Sequence, residues 1–237
     1  MEDKRQYTRT MFNEIAFRYD LLNRLLSLGM DLRWRNRLII PLQVQPGERV
    51  LDVACGSGDV ARLIHRRQPT CLITGADPAP AMLSIARRKF PALNTTCCES
   101  ESLPFRSDSF QVATVAFGVR NFSRLETGLA EIYRILTPGG RLGILEFALP
   151  DEGRFKRIYS WYLTKAIHRL GALFSQDYAY RYLPESIQHF PTPDEFMGLL
   201  QAVGLIQINT EKYLGGVVRI YRGWKKQGHG EDILSKA

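Results

Sequence analysis

The chain has 237 residues, of which 45% are hydrophobic and 24% charged, and its formal net charge is +8. A domain of this length buries ~70% or more of its unfolded surface, so no second core is required. No window approaches the ~20 uninterrupted apolar residues of a membrane span, and the N-terminal MEDKRQYTRT lacks the apolar stretch of a signal peptide, so we expect a cytoplasmic protein.

The N-terminal part of the chain is predicted to be helical. Apolar residues recur at helical spacing over 11–19 and again over 21–28, and a third segment, DLRWRNRLII, follows. Pro46 ends this part of the chain. We therefore expect residues 1–46 to form an amphipathic helical lid over one edge of the sheet that follows.

The stretch VLDVACGSGD, residues 50–59, predicts a strand that runs into a tight turn and then a helix. Its first residues suit a strand buried in a parallel sheet, and a helical apolar pattern starts at Val60. Gly56 and Gly58 lack the Cβ atoms that would obstruct a ligand lying against the backbone, and Ala61 completes the fingerprint G-x-G-x-x-A. The turn is typical of a nucleotide-type binding site.

Acidic residues around this turn discriminate between cofactors. A phosphate-binding loop needs Lys and then Ser or Thr after the second glycine, but Asp59 stands there, which also disfavours a dinucleotide pyrophosphate. S-adenosylmethionine has no phosphate and carries cationic groups, which Asp52 suits. The sequence resembles class I methyltransferases in this order of residues; an ordinary Rossmann turn, with Asp52 as a capping residue, is the alternative.

A second acid follows at a fixed distance. The strand CLITGAD, residues 71–77, ends in Asp77, which lies 21 positions beyond Gly56. This separation is close to the ~20 residues expected for the carboxylate that binds both ribose hydroxyls of an adenosine cofactor. Asp77 is therefore the predicted ribose ligand.

Strands and helices alternate through the rest of the chain. This pattern predicts an α/β fold with a doubly wound, mostly parallel sheet, whose ligands lie at the carboxyl ends of the strands. Only Gly215 and Gly216 separate the last two strands, which therefore form an antiparallel hairpin at the sheet edge. Residues 47–226 form the predicted cofactor-binding domain, with a helical insertion at about 154–203, and 227–237 a flexible tail. The predicted helices are 60–67, 78–90, 125–136, 155–174 and 193–203, and the other strands are 94–98, 110–118, 141–148, 205–214 and 217–226.

The cysteines and histidines predict no metal site. Cys55, Cys71, Cys97 and Cys98 contain no C-x-x-C pair, and the four histidines are scattered. This arrangement gives neither a disulfide scaffold nor zinc-ligand spacing. We expect reduced thiols.

Longer motifs narrow the resemblance. Over most of its length the chain is similar to the ubiquinone/menaquinone biosynthesis C-methyltransferase family, of the UbiE/MenG or demethylmenaquinone methyltransferase type. The glycine turn is shared by all class I methyltransferases, whereas the Y-D-x-x-N start and F-G-x-R-N are more specific. The motifs are YDLLNRLLSLGMDLRW (19–34), LPF (103–105), FGVRN (117–121), ILTPGGRLGILEF (135–147), YRYLPESI (180–187) and VVRIYRGWK (217–225).

The resemblance implies a set of cofactor contacts. It places Asp77 at the ribose, Glu99 and Ser100 at the adenine, Ala61 beside the glycine turn and Ala116 beneath the cofactor. Some positions depart from the family pattern. Glu99 stands where relatives often have Asp or Asn, Ala61 and Ala116 where many have a hydroxyl residue, Asp31 where many have His, and Ala148 where Ser is usual.

The reaction implied is transfer of a sulfonium methyl group to a ring carbon of a reduced quinone. The ring carbon becomes nucleophilic when the adjacent hydroxyl loses its proton, so the enzyme must favour the phenolate and hold the ring in line. Arg120 is the candidate for stabilising the phenolate, with a surface arginine as the alternative. Tyr19, Asp20 and Asn23 are expected to cover the quinol, with Asp20 a candidate proton acceptor; a helix cap and helix packing are the alternative.

Partners and ring identity stay open at this point. Naphthoquinol is the first choice, with the benzoquinol of ubiquinone or a phytyl naphthoquinol as alternatives. The basic charge fits a nucleic acid, a membrane surface or mere solvation. FGVRN stands where an amino-nitrogen methyltransferase of nucleic acids would have an Asn-Pro-Pro-Tyr type segment, so we expect no nucleic-acid partner. Peripheral membrane contact is expected through RFKRIYSWYLTKAIHRL, with Lys156, Arg157, Lys165 and Arg169.

Overall fold

A computed structural model of the chain describes residues 2–150 and 177–228. The predicted helix 155–174 and most of the predicted tail lie outside these residues. So do the four basic residues that are expected to contact a membrane. The strands are β1 (Arg49–Val53), β2 (Leu72–Asp77), β3 (Asn94–Cys97), β4 (Phe110–Ala116), β5 (Leu136–Phe147), β6 (Leu205–Tyr213) and β7 (Val218–Lys225). The described helices are α1 (Glu2–Leu26), α2 (Asp31–Ile39), α3 (Asp59–Arg67), α4 (Pro80–Lys89), α5 (Leu125–Ile135), α6 (Asp177–Gln188) and α7 (Pro193–Ala202).

The strands form one seven-stranded sheet in the order β3-β2-β1-β4-β5-β7-β6. The first five pair in parallel, and β7 runs antiparallel to both β5 and β6. The order reverses between β1 and β4, which is where ligands bind in open α/β sheets. The predicted fold class is confirmed. Of the two strands of the predicted hairpin, β6 forms the edge of the sheet and β7 is inserted beside β5.

The side chains of β1 alternate between two apolar layers. Val50 packs with Ile64 of α3, and Leu51 packs on the other face with Ile132 of α5 and Leu200 of α7. Because helices cover both faces, every residue of β1 after Arg49 is buried, as a near-continuous apolar strand requires. The strand is thus held rigidly, and its carboxyl end is fixed for the turn that follows.

The N-terminal region differs from its prediction in one respect. The first two apolar segments are a single continuous helix, α1, rather than two. Its inner face, with Ile15 and Ala16, packs on Ala79 and Met82 around the start of α4. Because α4 follows β2, this packing lays α1 over the edge where the parallel strands end.

The TPGG segment also differs. It belongs to β5, which starts at Leu136, and the pairing with β4 shifts register between Phe110 and Val112. Gly139 has φ of +74°, so the segment keeps the left-handed residue of a tight turn within the strand. The other predicted helix and strand ends that fall on described residues differ from the observed ones by no more than two residues.

Candidate active site

The glycine turn and Asp77 form one hydrogen-bonded unit. The Gly56 amide donates to Oδ2 of Asp77 at 2.8 Å, and the Ala79 amide donates to Oδ1 at 2.8 Å. Gly58 has φ of +79°, and a Cβ there would lie 3.1 Å from that of Ala86. The turn therefore needs a glycine at this position, and the acid at the end of β2 is fixed against the turn at the end of β1.

Four of the predicted cofactor residues line one cleft. Gly56, Asp77, Glu99 and Ser100 lie on its wall, together with Gly118 after β4. Lid residues cover the opposite side, which is lined by Arg5, Arg9, Phe12 and Tyr19 of α1. We call this the cofactor cleft. Its lining residues follow the ends of the neighbouring strands β1, β2, β3 and β4, which explains why residues so far apart in sequence meet.

Asp52 and Ala116 lie in a second, smaller space beside the turn. Asp52, Ala116, Gly56, Arg35 and Tyr19 are among its lining residues, and we call it the glycine-turn cavity. Gly56 and Tyr19 also line the cofactor cleft, so the two spaces adjoin.

Ala61 faces neither space. Its side chain is fully buried against Val50 and Ile64, so a hydroxyl group has no opening to reach there. Ala61, predicted to lie beside the glycine turn, is therefore on α3 three residues after Gly58, with its side chain outside the lining of both spaces.

Burial perturbs both acids of the site. Asp52 is 1% exposed; burial raises its pKa to about 7, although the Thr114 hydroxyl donates to Oδ1 at 2.8 Å. Its Oδ2 has no hydrogen-bond partner. Burial likewise raises the pKa of Asp77 to about 6, against the opposing effect of the two backbone amides. Both carboxylates would gain from a bound cation or hydrogen-bond donor.

A largely apolar cavity lies beside the cofactor cleft. Tyr19, Phe12 and Phe117 line both spaces, so only side chains separate them. We call it the apolar cavity; its other lining residues are Met11, Ile15, Leu22, Asn23, Ser27, Asp31, Arg120, Phe147, Tyr182 and Leu183. Two ligands held in these adjoining spaces can be brought into contact at the shared wall, as group transfer requires.

Arg120 presents a fixed positive charge to the apolar cavity. Its side chain is 8% exposed and is ion-paired with the fully buried Glu146 at the end of β5. Its Nε donates to the Ser186 hydroxyl at 3.2 Å, and the guanidinium lies 5.5 Å from the Phe147 ring centre. Burial alone would lower the pKa of Arg120, but the Glu146 carboxylate, together with Tyr19 and Tyr182, outweighs that effect and raises it. Arg120 is therefore not a surface residue, and Glu146 is a partner that the sequence did not identify.

The three candidate substrate-binding residues on α1 do not all face the same space. Tyr19 and Asn23, four positions apart on one helix face, both line the apolar cavity, and the Asn23 Nδ2 is buried without a hydrogen-bond partner. Asp20 instead accepts hydrogen bonds from Ser57 and Lys89 at the glycine turn. It is not among the residues that line the apolar cavity, so the structure does not place its carboxylate where a proton acceptor for the quinol would stand.

Charged residues fasten α1 to the glycine turn. Asp59, at the start of α3, is ion-paired with both Arg24 of α1 and Lys89 of α4, and Lys89 also pairs with Asp20. Arg24 further pairs with the buried Asp31, which also accepts a hydrogen bond from Ser27. Burial alone would raise the pKa of Asp59, but Lys89 and the arginines hold it below its usual value. We call Arg24, Lys89, Asp20, Asp31 and Asp59 the latch.

Two kinds of structural feature are absent from the described ranges. Within 2–150 and 177–228, no group of three or more His, Cys, Asp or Glu is placed to hold a metal ion. The helices in those ranges include none that is both long and apolar enough to cross a bilayer.

Comparisons with known proteins identify the family of this chain. Residues 1–225 match the family model described as the ubiE/COQ5 methyltransferase family. A demethylmenaquinone methyltransferase of Thermus thermophilus is 46% identical over 90% of this chain and 99% of its own length. A ubiquinone/menaquinone biosynthesis C-methyltransferase of Geobacter sulfurreducens is 41% identical over 95% of this chain and 91% of its own.

Solved structures agree on the fold. The crystal structure of an S-adenosylmethionine-dependent methyltransferase from Thermotoga maritima has a TM-score of 0.67 and 20% identity, covering 92% of this chain and 99% of that one. At that identity the similarity supports the class I methyltransferase fold but gives no information about the substrate. The family match extends over the lid, the cofactor cleft and the apolar cavity alike, and this chain belongs to the ubiE/COQ5 methyltransferase family.

Proposed function

We propose that this chain methylates a ring carbon of a prenylated quinol with S-adenosylmethionine, and that demethylmenaquinol is the substrate. The observation that carries the proposal is the shared wall between the cofactor cleft and the apolar cavity, with the buried cation of Arg120 on the quinol side. The relatives named for demethylmenaquinone methylation, and the G-M-D variant of the lid motif, favour a naphthoquinol over a benzoquinol.

The cofactor cleft suits S-adenosylmethionine. After its two hydrogen bonds from backbone amides, Asp77 has lone pairs left for the ribose hydroxyls. Glu99 and Ser100 line the same cleft and are available to bind the adenine. The unpaired Oδ2 of Asp52 suits a cation and would be a poor neighbour for a phosphate. When bound, S-adenosylmethionine supplies a methyl group on a positively charged sulfur.

The chain's own residues prepare the quinol. Arg120 stabilises the negative charge that develops on the phenolic oxygen, because its charge is permanent and shielded from water. Glu146 and Ser186 orient the guanidinium, which leaves part of its donor set for the ligand. Phe117 and Phe147 give the ring an apolar wall, and Tyr19 and Asn23 lie on the lid side of it.

The proposal predicts a specific defect in an Arg120 variant. With methyl-labelled S-adenosylmethionine and demethylmenaquinol, Arg120→Ala should lower the transfer rate about a hundredfold or more, the usual effect of losing one charge-stabilising group. Affinity for S-adenosylmethionine should change little, because Arg120 does not line the cofactor cleft. Arg120→Lys should restore the rate only in part, since the planar fork is lost.

The same assay tests the substrate. A benzoquinol precursor of ubiquinone, a phytyl naphthoquinol and RNA serve as competing acceptors. Label transferred to RNA, or normal turnover in Arg120→Ala, would contradict the proposal. Preference for the benzoquinol would support quinol methylation but show that the naphthoquinol assignment is wrong.

The acids of the site predict a pH dependence of cofactor affinity. A buried carboxyl whose pKa is raised loses its charge first as pH falls, so Asp52, with a pKa of about 7, and Asp77, of about 6, should become neutral in turn. S-adenosylmethionine should therefore bind more weakly as pH falls from 8 to 6. Calorimetric titration should show that Asp52→Asn binds less tightly at pH 8 and loses the upper part of this dependence. Since the ligand's own titration is common to both proteins, identical pH profiles would exclude Asp52.

We also propose that the outer face of α1 and the turn after it contact an anionic membrane surface, where a prenylated quinol resides. Phe17 and Leu28 are 83% and 85% exposed, and Leu21 and Leu25 are exposed between them; we call these four residues the outer patch. Its surroundings are basic: Arg88 lies over the Phe17 ring at 5.2 Å, and Arg18 is exposed on α1. Apolar side chains rimmed by cations suit the interface of an anionic bilayer.

Sedimentation with vesicles tests this contact. Binding to vesicles with anionic lipid should weaken with salt, since each cation near the surface contributes ~1 kcal/mol that salt screens. The double variant Phe17→Ser and Leu28→Ser should bind several-fold less. Leu72→Ser, at an exposed apolar residue on the amino end of β2, is the matched control and should bind normally. Equal binding of both variants, or self-association through the outer patch instead, would overturn the proposal.

A further inference from the structure

We infer that Arg35 binds the carboxylate of the amino-acid end of S-adenosylmethionine, opposite Asp52, which binds its ammonium group. The binding site is the glycine-turn cavity, and both side chains line it. This inference rests on the proposed function only in taking S-adenosylmethionine as the bound co-substrate. Arg35 would be a second charged residue in contact with the cofactor. It lies on α2, in the N-terminal lid region, outside the sequence motifs that predicted the cofactor site.

Arg35 is a buried cation with unused hydrogen-bonding capacity. It is 4% exposed, and its Nε has no hydrogen-bond partner. Its ion pair with Asp31 is long, at 3.7 Å, and its guanidinium lies 5.2 Å from the centre of the Phe117 ring. A buried guanidinium whose Nε lacks a hydrogen bond is unfavourable, and a bidentate carboxylate is the ligand that its planar fork matches.

Asp52 is the complementary group across the same cavity. Its Oδ2 is buried without a partner, and Arg35 is close enough to lower its pKa. The two side chains nevertheless form no ion pair with each other among the interactions of the described residues. The other carboxylate in the cavity, Asp59, is already paired with Arg24 and Lys89. A cation with only a long ion pair and a carboxylate with one unpaired oxygen together suit a zwitterion. A ligand of a single charge would satisfy only one of the two.

The glycine-turn cavity adjoins the cofactor cleft, so one ligand can occupy both. Gly56 and Tyr19 line both the glycine-turn cavity and the cofactor cleft. A ligand with its ribose at Asp77 can therefore extend past the glycine turn and place its amino-acid end between Arg35 and Asp52. Its sulfur then lies near Tyr19, on the wall that adjoins the apolar cavity.

A comparison of two ligands isolates the carboxylate. Calorimetric titration of the full chain uses S-adenosylmethionine and its decarboxylated analogue, which differ only in that group. Arg35→Met should weaken the affinity for S-adenosylmethionine roughly ten- to a hundredfold, the effect of losing a charge-assisted hydrogen-bonded pair, and leave the affinity for the analogue unchanged or improved. Arg35→Lys should fall between. Arg33→Met, at an exposed arginine two positions away on α2, is the matched control and should bind both ligands normally.

The outcomes separate this inference from its rivals. Equal losses for both ligands in Arg35→Met would mean that Arg35 only supports Asp31 and the lid, which would overturn the inference. If that variant does not fold, the unaltered protein decides, because removing the carboxylate from the ligand should then cost the same ten- to a hundredfold. Equal affinity for the two ligands would overturn the inference and leave quinol methylation intact. A failure of the protein to bind either ligand would refute the proposed function instead.

Discussion

The site depends on one constraint: the lid must cover the polar residues at the carboxyl ends of β1, β2, β3 and β4 and still leave them available to ligands. α1 provides that cover, and the latch fixes its position through Asp59, which pairs with Arg24 on one side and Lys89 on the other. Partly buried ion pairs of this kind contribute little net stability but specify geometry, because breaking one partner leaves the other charge uncompensated. The same helix therefore forms a wall of the cofactor cleft, the glycine-turn cavity and the apolar cavity.

The sequence predicted the parts of this arrangement that local patterns encode. The apolar run of β4, the glycine turn and the separation between Gly56 and Asp77 each follow from strand burial or from a required backbone conformation, and each is observed. Asp20 lies outside the lining of the apolar cavity although it is adjacent to Tyr19 in sequence, because neighbouring residues point about 100° apart around a helix. Lys89, 69 positions away, fixes its direction, and no periodic pattern encodes such a pair.

The charged partners that the sequence missed share this cause. Glu146 meets Arg120 across 26 positions, and Arg24 meets Asp59 across 35, so both pairs arise only when the strands and the lid assemble. The departures from the family pattern have local explanations in two cases. Ala61 fills the buried core, and Asp31 stands among Arg24, Arg35 and Ser27, where its negative charge is matched. An acid there pairs with arginines that a neutral histidine would leave uncompensated.

The central claim is that α1 closes over bound cofactor as part of the site. Hydrogen–deuterium exchange of the full chain, with and without S-adenosylhomocysteine, tests it most directly, because a ligand held between α1 and the sheet stabilises only the closed form. The account predicts slower exchange across residues 2–26 as well as around the glycine turn when the ligand binds. Lys89→Met, which removes the link to both Asp20 and Asp59, should raise exchange in the free α1. Protection confined to the glycine turn and β2, with α1 unchanged, would contradict the account.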